Sequence, residues 1–189
     1  MAFHHFKGSG LNRSEKIQRF VIRAIMESKI PNEKRENSLE FEFKHSSGVI
    51  QIARIFAEKR GLNVEIAEII AALHDIHAII NGTYKIHASE SARIARKILE
   101  ESGDFKKEEM SLICNAIEHH SEKDVYTDNP YVELIKDADT FDCFLYADHG
   151  YDDKPPKLRK EYFKRIISLR KELGLPQKEF YKKELERLQ

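Results

Sequence analysis

The spacing of apolar residues constrains this sequence more than any other feature. They recur at intervals of three and four rather than two, and only 8 Gly and 5 Pro interrupt them in 189 residues. That pattern belongs to amphipathic helices and predicts an all-α chain. The first predicted helix runs from about Asn12 to Ser28, with Ile17, Phe20, Val21, Ala24 and Ile25 as its stripe. A second spans about Ser38 to Lys59, with Val49, Ile52, Ala53 and Phe56 inward and Gly61 as its stop. A third, Val64 to Ile80, carries Ala67, Ile70, Ala71 and His74 on one row and ends at the turn signal "NGT". Further helices are expected at about 87–101, 106–121 and 128–146, and two charged ones at about 158–173 and 177–188.

The length suits one well-buried core. Lys+Arg and Asp+Glu are equal at 32 each, so no global field draws in nucleic acid or an anionic membrane, and an anionic ligand must be held locally. Cys114 and Cys143 match no zinc spacing. With no signal-like N-terminus and no apolar run long enough to span a bilayer, the expectation is a cytoplasmic protein with reduced thiols and neither membrane nor nucleic-acid partner. His4 and His5 read as incidental residues of a frayed terminus.

Polar residues that extend an apolar stripe carry the functional signal, because position on a helix fixes direction. His45 precedes Val49 by four residues, and His74 and Asp75 follow Ala71 by three and four. His87 shares a row with Ser91, Ile94 and Ile98, and His119 and His120 end the stripe of Leu112, Ile113 and Ala116. Asp139 stands four residues after Ile135, with Asp142 three further on. Five consecutive helices thus aim a metal-competent side chain inward. Helical backbone is already hydrogen-bonded and cannot satisfy them all, and each buried polar group left alone costs about 1–3 kcal/mol. A divalent cation resolves the conflict by taking imidazole lone pairs and carboxylate charge together.

The ordered set His45 in "FKHSSGVIQIARIFA", the doublet in "AALHDI" and Asp139 in "IKDADTFD" resembles the HD-domain superfamily over about residues 38–146. The resemblance implies one HD-type domain over 1–189. Its helical core would lie at about 38–146, with added helices at about 12–28 and 158–188. It further implies a metal-dependent phosphohydrolase in which His45, His74, Asp75 and Asp139 hold a first metal. The chain is also similar to members with extra histidines, in which His87 and His120, with His119 a further candidate, would hold a second ion with Asp75 bridging both. Adjacent helix positions diverge by about 100°, which ranks His120 ahead of His119. The "GYP" segment of cyclic dinucleotide phosphodiesterases is absent. Ala78 stands where members acting on dinucleoside polyphosphates or nucleoside monophosphates often carry Lys or Glu.

The implied chemistry is hydrolysis of a phosphate ester or anhydride of a nucleotide or other small phosphorylated molecule by a metal-activated water. Asp75, His77 and Lys123 are the candidate catalytic residues, with Lys85 a further source of positive charge and Asp142 an orienter of a ligand histidine. Mixed imidazole and carboxylate donors favour Mn or Fe, with Zn, Co or Ni possible, as one or two ions. Two other functions share the ligand set, a di-iron oxygenase and a non-catalytic nucleotide sensor. Cys143 is read as a small core residue. The loop "HGYDDKPP" is a candidate lid, with Tyr146, His149 and Tyr151 as substrate contacts. The C-terminal helices are expected to pack on the core, and a homodimer is conceivable.

Overall fold

Strong caps fix where the helices begin. At the start of α1 (Arg13–Met26), the Asn12 side chain accepts the Glu15 N–H and the Glu15 carboxylate accepts the Asn12 N–H, both at 2.8 Å, a reciprocal box that satisfies two orphan donors. After a 3-10 turn (Asn32–Lys34), Ser38 caps α2 (Leu39–Arg60), which stops at Gly61 with φ +66°. Asn63 then caps α3 (Val64–Leu73). There follow α4 (Ile76–Asn81), α5 (His87–Ser102), α6 (Lys107–Glu118), α7 (Pro130–Tyr146), α8 (Pro156–Glu172) and α9 (Glu179–Arg187). This computed structural model describes residues 5–146 and 154–188. Among them there is no strand, and no helix is long and apolar enough to cross a membrane.

The core forms where α2 lies against α3 and α7. Val49, Ala53 and Phe56 of α2 meet Ile69, Ile70 and Leu73 of α3 and Leu134, Ile135 and Ala138 of α7, all fully buried. A second layer pairs α5 with α6 and α4. The C-terminal arm closes the other side, α8 on α7 and α9 on α8, through Phe163, Ile166 and Tyr181.

Two expectations change. Phe20 is 43% exposed, and Ser14 takes its place in the buried row of α1, donating to Glu68 at 2.8 Å. The helix expected from Val64 to Ile80 breaks in two at the doublet, where Asp75 has φ −111° and ψ 20°. A straight helix would swing His74 and Asp75 about 100° apart. The break lets both turn to one cluster, with His74 Nε2 3.3 Å from Asp75 Oδ2, and the freed N–H of His77 donates to Ser91 Oγ at 3.1 Å, so the interruption leaves that donor satisfied.

Candidate metal centre

Each histidine of the cluster is locked by its Nδ1. That atom of His74 lies 2.7 Å from the Ala71 carbonyl, that of His87 2.7 Å from the Tyr84 carbonyl, and that of His120 2.7 Å from the Ile117 carbonyl. His45 Nδ1 lies 2.7 Å from Asp142 Oδ2. Carbonyl and carboxylate oxygens carry no proton to give, so each Nδ1 is the donor, which leaves Nε2 as the atom each ring would turn to a cation in place of a proton.

These Nε2 atoms gather around Asp75 and Asp139. Asp75 Oδ2 is 3.3 Å from His74 Nε2 and 3.7 Å from His45 Nε2, while Oδ1 is 3.3 Å from His120 Nε2 and 3.6 Å from His87 Nε2. One carboxylate thus serves two pairs of imidazoles. Asp139 Oδ1 lies 3.3 Å from His45 Nε2. The donor atoms of His45, His74 and Asp139, and those of His74, Asp75 and His120, lie within 4.8 Å of one another. His74 Nε2 and Asp75 Oδ1 are buried with no hydrogen-bond partner, so the residues fit a cation that would complete them.

The protonation pattern follows from crowding. Burial opposes charge on His45, but hydrogen bonds to Asp139 and Asp142 outweigh it and hold the ring well above its ordinary pKa. Burial likewise works against ionised Asp75, yet the charge of His74, first among the imidazoles that surround it, keeps its pKa well below the usual carboxylate value. Burial dominates at His120, with a pKa lowered to about 4, which keeps that imidazole neutral and able to ligate at pH 7.

Several residues occupy places other than those expected. His119 lies at the end of α6, its side chain 39% exposed and bonded to Glu122 at 3.1 Å. The helix stops there, and the same turn that sends His120 inward sends His119 out. His77 does not line the cavity, and its ring meets Asn81 at 3.2 Å. Lys85 is exposed and also outside the lining. Lys123 does reach the cavity, but its ammonium is held by Asp139 Oδ2 at 2.5 Å and the His120 carbonyl at 2.6 Å. It ties the His120 and Asp139 segments together. Cys143 lines the cavity too, its Sγ 3.8 Å from Asp139 Oδ1, because it sits one turn beyond Asp139. Tyr146 stacks edge-on against Phe41. His4, His149 and Tyr151, and most of the expected lid, lie outside the described residues.

The cluster forms the floor of a cavity of about 520 Å³. Its walls bring in residues that the sequence reading missed: Glu36, Asn37, Phe41, Tyr84, Ser121, Lys154 and Tyr162. Arg165 of α8 holds the Lys123 segment from behind, donating to the Lys123 carbonyl at 2.8 Å and to Asp137 at 2.8 Å. Glu42, also missed, is 2% exposed, accepts the Tyr84 hydroxyl at 3.0 Å, and lies three residues before His45 on the same row.

Burial and the nearby charge of Asp75 push the Glu42 carboxyl from 4.5 up to about 7. Between those values the folded state binds a proton that the unfolded chain has released, so stability falls as pH rises through this window. Glu42→Gln, a neutral isostere, is therefore expected to raise the melting temperature of the metal-free protein at pH 8 by about 3 °C, the response of a chain this size to about 1 kcal/mol. At pH 5 it should change little. Thermal denaturation at both values checks this, and an equal shift at both would refute it.

An all-α protein with a His and Asp centre where five chain segments meet is the class that fold and site define. The chain matches the family model "HD domain" over residues 43–143 and belongs to the HD-domain family, whose members are generally metal-dependent phosphohydrolases. Searches of curated proteins and of solved structures return no match.

Proposed function

We propose that this protein is a metal-dependent phosphohydrolase that cleaves a phosphate ester or anhydride of a small molecule, a nucleotide among the candidates. One observation carries the proposal: imidazoles and carboxylates from five separate segments face one cavity, with His74 Nε2 and Asp75 Oδ1 buried and unpartnered. In this reading His45, His74, Asp75 and Asp139 would hold one cation, and His87 and His120, with Asp75 shared, a second. Donors of this mixture suit Mn or Fe. The bound ions supply Lewis acidity toward a phosphoryl oxygen and a water molecule.

The chain's own residues do the rest. Asp142 fixes the tautomer and plane of His45, and Lys123 keeps Asp139 turned to the centre. Phe41 and Tyr162 narrow the cavity and limit bulk water around the ester. Hydrolysis breaks the P–O bond, places the oxygen of water on phosphorus and leaves the departing alcohol with a proton.

Elemental analysis of the purified protein, then phosphate release from nucleotides and sugar phosphates with Mn or Fe added, tests this. The expected result is bound transition metal and release that chelation abolishes. A protein that takes up no metal and releases no phosphate overturns the reading. The histidine-rich pairs on either side of Asp75 also suit a di-iron oxygenase, and dioxygen consumption by the iron-loaded protein, with no phosphate released, would select that reading.

A further inference from the structure

We propose that the cavity selects phosphomonoesters whose alcohol portion is rich in hydrogen-bond donors and rejects chains of phosphates, with Glu36 as the specificity-determining residue. This rests on the phosphohydrolase reading above and adds to it the class of substrate.

The first support is charge. Among the described residues, two lysines line the cavity, Lys123 and Lys154, and Lys123 is committed to Asp139 and the His120 carbonyl at 2.5 and 2.6 Å. A single phosphoryl group can be met by the centre at the floor. Each additional one brings about one more negative charge toward a wall that already carries the Glu36 carboxylate.

That carboxylate cannot easily step aside. The Glu36 N–H donates to the Gly82 carbonyl at 2.9 Å, and the side chain accepts the Thr83 hydroxyl. This hydrogen bond, with one from the Tyr84 backbone, lowers the pKa of Glu36 and keeps it ionised. The adjacent Asn37 carbonyl is held by Arg35 Nε at 3.2 Å, and Arg35 itself is anchored on the carbonyls of Ala78 and Ile79 at 2.9 and 3.1 Å.

The second support is the direction of the hydrogen bonds. The Tyr84 hydroxyl, also on the cavity wall, donates to Glu42 at 3.0 Å, so its oxygen keeps lone pairs and has no proton left to give. Glu36 and the Tyr84 oxygen together present acceptors, which hydroxyl or amine groups can satisfy and phosphate oxygens cannot.

The test uses the full-length, Mn-loaded protein and four probes: ribose 5-phosphate, phenyl phosphate, AMP and ATP. Wild type is expected to favour ribose 5-phosphate over phenyl phosphate chiefly through KM, and AMP over ATP by at least tenfold in kcat/KM. In Glu36→Gln the ribose 5-phosphate to phenyl phosphate ratio should drop about tenfold, again in KM. In Glu36→Lys the ATP to AMP ratio should rise about tenfold. Glu36 is exposed at the rim, so both variants are expected to fold, which their melting curves verify. Ratios equal in wild type and both variants, or a wild type that prefers ATP, overturn the proposal while phosphate release still upholds the hydrolase. No release from any of the four overturns both.

Discussion

Asp75→Asn is expected to empty the centre. The substitution preserves shape but removes the negative charge and turns one of two acceptor oxygens into an amide donor. Whichever way the new amide points, one pair of imidazoles, His74 with His45 or His120 with His87, faces N–H groups in place of the oxygen now 3.3 to 3.7 Å away. Loss of a partner that merely supports a metal ligand costs about 10–100-fold in affinity or activity. A carboxylate shared by both halves of the centre should cost more, at least about 1,000-fold in kcat/KM. Metal content and a competition titration with a chelator, run beside the activity assay, check this. Full metal occupancy in the variant would show that Asp75 is not a ligand.

The second large effect is expected at Gly48, in the middle of α2. Glycine inside a helix costs about 1 kcal/mol relative to alanine, so on propensity alone Gly48→Ala would stabilise the protein. The packing predicts the reverse. A Cβ at this position would lie 1.9 Å from Asp142 Oδ1 and 2.8 Å from its Cγ. Gly48 is one turn after His45 on the face that meets α7, and its missing side chain is the space through which Asp142 reaches the ring. In the alanine variant Asp142 must withdraw, His45 loses the acceptor that fixes its Nδ1 proton, and metal affinity should fall about 10–100-fold. The helical content seen by circular dichroism should be retained. Asp142→Ala, which removes the acceptor without crowding, should reproduce the metal defect. If Gly48→Ala binds metal like wild type, the close approach of α7 is not what holds His45.

Much of this site was legible because helical periodicity converts sequence position into direction. His45, His74, Asp75, His87, His120 and Asp139 all share an apolar row, whereas His119 and His120 part at the turn that ends α6 and not by the 100° step of a continued helix. The break at the doublet was not legible for a physical reason. From Ile66 to Leu73 every residue is buried, so α3 has no polar face whose loss would mark its end. Glu42 was overlooked among the charges of "LEFEFKH", although its place one turn before His45 and Ser46 was a usable signal. Cys143, one turn past Asp139, was another. Glu36, Asn37 and Tyr84 come from connections without periodicity, and their approach to the cavity depends on how Arg35 folds the 3-10 turn onto α4. Nothing local in the sequence encodes that contact.

The four anchored Nδ1 atoms decide what sort of metalloprotein this is. In small zinc domains the ion drives folding and its removal unravels the chain. Here the imidazoles are aimed by backbone carbonyls and by Asp142, and α2, α3 and α7 share a continuous apolar core. The cage exists before its guest. Loading and stripping of an ion would therefore be reversible events on a standing scaffold, and ion supply would set how full the centre is without setting how much of the protein survives.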